Sequence, residues 1–403
     1  MHAVMAPKPE VPDTTDVVVV GGGIMGTSTA FFLTHETDLD VVLIEKNEIG
    51  SGSTGDSSAI LRHHYGPDRI YTEMAAFSHD FYRSFEERTD EVIAHESNPV
   101  VRFVEAETQA GEDALSGYEV LSSLDLPVTK YSGQEVDDQY PMLDVDDVDI
   151  AVSDDSAGYS DGTDAAGGFS RAAQALGATV VTGVEVTDIQ TEDDAIERIE
   201  TTEGYLDTDS VVIAAGPWTP RIIASVGVDI PMVPTREQVL LLEPPSDFRE
   251  EDLDQLPTGS APDTDWYLRP DFGEGVLIAT HYQDDETDPD TYDPSPDEET
   301  LLYLLEELES FAPRLADSKI RGQYCGVYST TPDLDFVIDQ VGPDGCYVAC
   351  GFSGHGFKHG PAVGKILTDL LTEGDTDLID VDYFSLARFE DEPSDADVTA
   401  DTS

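Results

Sequence analysis

Gly21, Gly23 and Gly26 stand in the pattern G-x-G-x-x-G, and Glu45 follows Gly26 by 19 residues. Each glycine has a mechanical purpose: a tight turn at Gly21, close approach of backbone to a pyrophosphate at Gly23, and close packing of helix on sheet at Gly26. The first N–H groups of the following helix have no partners inside it, and they face the anion with a partial positive charge. A carboxylate at Glu45 accepts hydrogen bonds from ribose hydroxyls and repels a 2′-phosphate, which disfavours NADP. The spacing predicts a dinucleotide site over Gly21, Gly22, Gly23, Ile24, Met25, Gly26 and Glu45, and it leaves NAD and FAD open.

A second stretch of chemical interest lies near the other end of the chain. Gly351-Phe352-Ser353-Gly354-His355-Gly356 carries little side-chain bulk, and a helix is predicted from about Lys358, apolar at Val363, Ile366, Leu367 and Leu370. A helix start aimed at such a loop stabilises negative charge on whatever docks there. The bland alternative is a glycine turn that serves packing alone. Between these two regions, Lys46-Asn47-Glu48-Ile49-Gly50-Ser51-Gly52-Ser53-Thr54-Gly55 is a turn of small residues that gives an extended cofactor room to cross a sheet.

These groups need a frame. Asp16–Val20 is a β-branched run, an apolar-periodic helix extends to about His35, and Asp40–Ile44 is a second strand, the start of a parallel sheet. Ser210–Ala215 and Gly345–Cys350 read as further buried strands of the same sheet. Dispersed strands imply an inserted second domain. The expected class is α/β, a Rossmann-like cofactor-binding domain interleaved with an α+β substrate domain on a mixed or antiparallel sheet. The expected boundaries are 15–92, 155–228 and 322–390 for the first, 93–154 and 229–321 for the second, with polar tails at 1–14 and 391–403. Acids and prolines from Asp284 to Asp297 read as a surface loop.

Composition narrows the class. With 85 acidic and 20 basic residues among 403, the formal net charge is -65, which argues against nucleic acid or an anionic membrane as partner. The acids are spread along the chain and only six lysines occur: Lys8, Lys46, Lys130, Lys319, Lys358 and Lys365. Screening over about 3 Å at molar ionic strength makes such self-repulsion tolerable, so the pattern suits a high-salt, halophilic cytoplasm, with an acidic protein awaiting a basic partner as the alternative. A lysine that persists inside a glycine-rich stretch then has a purpose there. The three cysteines, Cys325, Cys346 and Cys350, show no metal-site spacing, and no metal is expected. No apolar run is long enough to span a membrane and no signal peptide is recognisable, so a soluble cytoplasmic protein is expected.

Five segments carry a resemblance: VVVVGGGIMG at 17–26, GSGSTGDSSAILRHHYG at 50–66, VVIAAGPW at 211–218, GVYSTTPDLDFVID at 326–339 and GFSGHGFKHGPAVGKIL at 351–367. In this order and spacing the chain, over 15–390, resembles the D-amino-acid-oxidase superfamily of FAD-dependent oxidoreductases, in its sarcosine-oxidase-like branch. The resemblance implies FAD, a doubly wound cofactor domain, and a second domain whose antiparallel sheet roofs the flavin. It extends the cofactor-binding residues to Lys46, Gly52, Ser53, Thr54, Ser57, Ser58, Val186, Ala215, Gly216, Trp218, Gly326, Gly354, His355, Gly356, Phe357 and Lys358.

In that branch, the arginine of R-H-x-Y-G and the lysine of G-H-G-F-K hold the substrate carboxylate, which implies Arg62 and Lys358 here. Tyr267, His281 and Tyr328 fall at the positions of the family's site tyrosines and histidine, and His355 lies in the flavin loop. Three positions depart from the family. Gly326 stands where monomeric sarcosine oxidases carry the cysteine that binds flavin covalently, and Cys325, one residue earlier in a strand, faces the other way, so non-covalent FAD is expected. Leu277 stands at the oxygen-activating lysine if His281 is in register. Ala59 replaces an arginine near the flavin.

The sequence therefore predicts an FAD-dependent oxidoreductase that converts a small amino acid (N-methyl, cyclic or D-) to an imine by hydride transfer to flavin N5, with oxygen or an electron-transfer acceptor taking the electrons. The alternatives are an FAD-dependent 2-hydroxy-acid or polyol dehydrogenase and a non-catalytic flavoprotein subunit.

Overall fold

The computed structural model describes residues 10–262, 264–281 and 286–389. Of the expected tails, residues 1–9 and 390–403 lie outside the described residues, as do 282–285. Residues 10–14 are docked: Thr14 bridges Asp207, Asp207 N donates to Asp13 O at 3.0 Å, and Val11 packs against the core.

A six-stranded sheet organises one half, in the order Val337–Gln340, Cys346–Cys350, Ser210–Ile213, Val17–Val20, Val41–Glu45, Thr179–Thr182. The pairings are parallel except at the Val337–Gln340 edge. Strands buried on both faces read as continuous apolar runs, which is why VVVV at 17–20 has no alternation. Its period-two geometry still sorts the side chains: Val17 and Val19 join the core under the helices, and Val18 and Val20 join the core on the opposite face.

The two faces are covered differently. Helix Ile24–Glu36 lies against helices Gly162–Leu176 and Gly360–Glu373 on one face. Enclosed on all sides, it is buried at ten positions from Ile24 to Leu33. The other face is covered by a three-stranded antiparallel sheet, Val186–Glu192, Ala195–Thr201 and Gly204–Asp207, whose Ile189, Ile196, Ile199 and Leu206 fill the core there. The expected α/β class stands, with a small antiparallel sheet in place of helices on this second face. The alternation in VTDIQTE and AIERIET is that of strands with one buried face.

The second half is built on a four-stranded antiparallel sheet, in the order Trp266–Asp271, Gly275–Thr280, Val233–Glu243, Lys319–Thr330. One face packs Leu240, Leu242, Trp266, Leu268, Val276 and Ile278 against helix Glu298–Phe311 through Leu304, Leu308 and Phe311. The opposite face presents Val239, Tyr267, Leu277, Ala279 and Tyr324 towards the cofactor half. Because Lys319–Thr330 pairs along its length with Val233–Glu243, residues 322–330 belong to this sheet rather than to the cofactor half where they were expected.

Candidate active site

The strand Val17–Val20 ends in the glycine turn, and the turn is built as its spacing implies. Gly21 has φ +112°, and a Cβ there would meet the Ala214 carbonyl oxygen at 2.4 Å; a Cβ at Gly26 would lie 1.9 Å from Gly21 O. The start of helix Ile24–Glu36 is closed from outside it, by Ile24 N donating to Thr54 Oγ1 at 3.0 Å. Glu45 is aimed by the backbone: Gly22 N and Asn47 N each donate to its carboxylate at 2.7 Å.

A cleft of about 450 Å³ runs from this turn to the four-stranded sheet. It is lined by Gly21, Gly23, Ile24, Met25, Glu45, Lys46, Gly52, Ser53, Thr54, Ser57, Ser58, Val186, Ala215, Gly216, Trp218, Gly326, Gly354, Gly356 and Phe357 among the residues expected to bind cofactor, and by Tyr267 and Tyr328 among those expected at the substrate. Gly22, Gly26, His355 and Lys358 stand behind the lining; Gly22 acts through its bond to Glu45. The sequence reading missed Asp56, Glu237, Val239, Ala279 and Arg221, which also line the cleft. Burial pushes the Asp56 carboxyl up to about 6.

The glycine rim, the helix start and Ser53 suit a dinucleotide pyrophosphate. Ser53 lines the cleft, and its Oγ is buried and, among the described residues, has no hydrogen-bond partner, which leaves a donor unspent beside it. FAD would be held by Glu45 at its ribose, by close approach of its phosphates to the backbone at Gly23 with Ser53 and Thr54 beside it, and by the loop around Gly354 at its ring.

Of the residues expected at the substrate, Arg62 and His281, like His355 and Lys358, do not line the cleft, and these four lie close enough to one another to interact by charge. Gly354, at φ +79°, lies flat on Tyr328: a Cβ there would come within 2.0 Å of the ring. His281 packs on Tyr267 with ring centroids 4.4 Å apart. The Arg62 guanidinium sits 4.1 Å from the Tyr65 ring centroid and donates to His64 O. Lys358, 6% exposed, donates to His355 O at 3.1 Å. Among the described residues no carboxylate pairs with either cation. Burial, then the charges of Arg62 and Arg102, hold the Lys358 ammonium well below the usual lysine range. Burial, then Arg102, Arg62 and Lys358, lower His281 to about 3, and burial with Lys358 and Arg62 lowers His355.

Several other residues had no place in the sequence reading. Arg102, on strand Val100–Val104, contributes to the cationic field. Asp154, fully buried, accepts from His63 N at 2.6 Å and from the His63 ring at 3.1 Å, fixing the chain immediately after Arg62. His63 Nε2 meets His79 Nδ1 at 3.0 Å. His63 and Tyr65 were visible inside the R-H-H-Y-G segment, but nothing local to Asp154 marks it. Leu277 is buried beside Tyr267, Val239 and Ala279, with no charge of its own at that place on the sheet. Ala59 is buried with φ +50°, a left-handed conformation uncommon for a residue other than glycine. Among the described residues no cluster of three metal-ligating side chains occurs, and no helix is long and apolar enough to cross a membrane.

Comparison with known proteins agrees with this architecture. Monomeric sarcosine oxidase from Bacillus sp. (strain B-0618) is 28% identical over 388 residues, covering 93% of this chain and 96% of that protein. The crystal structure of L-proline dehydrogenase from P. horikoshii superposes with a TM-score of 0.85 at 27% identity, covering 94% of this chain and 99% of that one. Glycine oxidase from Geobacillus kaustophilus shares the fold with a TM-score of 0.79 at 23% identity, covering 94% of this chain and 99% of that one. With the cleft, the glycine turn and these likenesses in agreement, and with the family's sequence profile matching residues 16–370, the chain belongs to the DAO family of FAD dependent oxidoreductases.

Proposed function

We propose that this enzyme oxidises a small secondary amino acid, N-methylated or cyclic, to its imine. The carrying observation is the pair of cations beside the cleft: a buried lysine and an arginine without carboxylate partners among the described residues, in a chain with 85 acids. Burying uncompensated charge is costly, so such a pair implies an anion supplied from outside. Sarcosine and proline, the substrates in the names of two relatives, are both small secondary amino acids with that anion.

When bound, FAD supplies the two-electron acceptor that takes a hydride from the carbon next to the amine nitrogen, and water hydrolyses the imine that is left. The protein's part is to orient and to set charge. Arg62 offers a planar fork and Lys358 a point charge to the carboxylate, and the bound carboxylate offsets the burial that disfavours the charge on Lys358. Tyr267, His281 and Tyr328 form the wall on which the rest of the substrate lies. The cationic surroundings that keep His281 neutral also oppose an ammonium, favouring the neutral amine that gives up hydride. With glycine at 326 and Cys325 turned into the sheet, we read the FAD as non-covalent; with Leu277 in place of a cation, we read the enzyme as a dehydrogenase that passes electrons to an acceptor other than oxygen.

The test is anaerobic bleaching of the FAD-loaded protein with sarcosine, dimethylglycine, proline, pipecolate, D-amino acids and 2-hydroxy acids. Bleaching by sarcosine or proline is expected. Bleaching by 2-hydroxy acids alone, or by nothing in the panel, would overturn the reading. Lys358→Met should raise KM by about 100-fold or more with a smaller change in kcat, as loss of a buried charge contact implies.

A further inference from the structure

Arg62 and Lys358 are 296 positions apart in the chain, yet a two-point grip on one carboxylate requires their heads to be held at a fixed separation. One residue touches the supports of both. The Tyr65 ring carries the Arg62 guanidinium at 4.1 Å from its centroid. Its hydroxyl shares hydrogen bonds with His359 Nε2 at 2.8 Å and His355 Nδ1 at 3.3 Å, the two residues that flank Lys358 in the turn 355–359. Lys358 in turn donates to His355 O.

The direction of these bonds follows from the ring states. Burial and the adjoining cations keep His355 and His359 neutral. His355 Nε2 lies 3.2 Å from Leu334 O, a carbonyl that only accepts, so Nε2 carries the proton and Nδ1 accepts from the Tyr65 hydroxyl. That hydroxyl has one proton to give, so the bond to His359 is donated by His359 Nε2. The result is a directed chain, His359 to Tyr65 to His355 to Leu334 O, with Arg62 stacked on its middle member. The ring itself is steadied by stacking on Tyr71 at 5.0 Å, and Tyr71 is tied to Asp335 by a 2.6 Å hydrogen bond.

We propose that Tyr65 is the positioning residue that sets the spacing of Arg62 and Lys358, and so selects a substrate carboxylate over neutral isosteres. This rests on the carboxylate reading of the two cations given above. Tyr65 touches the supports of the grip, so its removal should cost ground-state binding of the carboxylate and leave the redox step largely intact.

The experiment compares Tyr65→Phe and Tyr65→Leu with wild type, as FAD-loaded full-length protein with a dye acceptor, on sarcosine, L-proline and their carboxamides. Tyr65→Phe keeps the ring under Arg62 and removes the bonds to the 355–359 turn; KM for the amino acids should rise about 5- to 10-fold, as loss of one or two hydrogen bonds implies. Tyr65→Leu removes both supports and should raise it further. For both variants kcat should fall less than about threefold and kcat/KM for the carboxamides should be nearly unchanged, so that discrimination collapses. Equal losses on amino acid and carboxamide, in variants with wild-type flavin spectra, would reduce Tyr65 to a structural residue and overturn the proposal. A wild-type enzyme that does not prefer the carboxylate would instead overturn the reading of Arg62 and Lys358, and this inference with it.

Discussion

Asp290 accepts a hydrogen bond from the indole Nε1 of Trp218 at 2.7 Å, which fastens the long acidic loop of the substrate half to the rim of the cofactor cleft. Two more donors meet the same carboxylate: Lys46 at 3.2 Å, whose ammonium also lies 3.5 Å from the Trp218 ring centroid, and Arg221, which reaches Asp288 as well at 3.1 Å. Trp218, Lys46 and Arg221 all line the cleft near Glu45.

This fastening should slow cofactor loss. Each contact is partly exposed and modest alone, but three donors on one carboxylate act together. Asp290→Ala is expected to speed FAD dissociation by about 3- to 10-fold, the equivalent of one or two net hydrogen bonds, with little change in kcat. Recovery of flavin fluorescence after dilution measures it. An unchanged rate would show that the loop only rests on the cleft.

The flavin should leave the denatured protein. Gly326 has no thiol, and a Cβ placed there would stand 3.0 Å from the Asp56 Cβ. Cys325 pairs with Gln238 in the four-stranded sheet and is buried. Acid precipitation is expected to put all yellow colour in the supernatant, whereas a yellow pellet would refute it. Gly326→Cys alone should not create the link, because Asp56 occupies the approach.

How far these features were legible in the sequence depended on whether their causes are local. The turn at Gly21–Gly26 and the loop at Gly354–Lys358 were readable because their residues act within a few positions of one another. The covering of the six-stranded sheet was not, since nothing in VTDIQTE says which larger surface its apolar face will meet. Lys46 was suspected from the family resemblance, but its partner Asp290 sits in a stretch whose composition signals only a surface loop. Asp154 is one of 85 acids, and only the folded chain shows it buried against the residue after Arg62.

Acid should unfold the protein through its histidines. Burial, chiefly, lowers His64 to about 4 and His79 and His281 to about 3, against 6.5 in the unfolded chain. A depressed histidine takes its proton only on unfolding, so the stability it leaves intact above pH 6.5 is lost as pH falls from there towards the folded value. Asp56, raised from 3.8 to about 6, acts in the opposite sense over about pH 4 to 6, but as one group against three. Unfolding free energies from denaturant titrations between pH 7 and 5 should fall with a slope equivalent to an uptake of about two or more protons near pH 5.5. A flat profile would mean that these rings are not held neutral.

Carboxylate binding should take up a proton. Lys358 is held below its usual range by burial and by the adjacent guanidinium groups, and a carboxylate at its ammonium supplies the opposite charge that reverses the shift. Propionate, which carries no amine to confuse the count, is expected to bind the FAD-loaded protein with net proton uptake, read from calorimetric heats in buffers of different ionisation enthalpy. Lys358→Met should abolish the uptake. Uptake that persists in the variant would transfer the titration to another group.

Electron delivery to oxygen should be restored by charge at one position. Leu277 faces the cleft side of the sheet beside Tyr267 and Ala279, pairs across the strands with Arg269 and Leu241, and is 2% exposed. One-electron reduction of oxygen creates an anion, and a preorganised cation at that point lowers the barrier, each 1.4 kcal/mol being worth about tenfold in rate. The Arg269 guanidinium does not supply it, because its Nε is committed to Ser58 O at 2.8 Å and its Nη1 to Asp271 at 3.1 Å. Leu277→Lys is therefore expected to raise the rate of reaction of the reduced enzyme with oxygen by about tenfold or more, while the anaerobic rate of bleaching by the amino acid changes little. Stopped-flow reoxidation measures the first and anaerobic mixing the second. A wild-type enzyme that already reoxidises in air as fast as the variant would refute the dehydrogenase reading and would require the activating charge to come from Lys358 or Arg62, at the other end of the substrate.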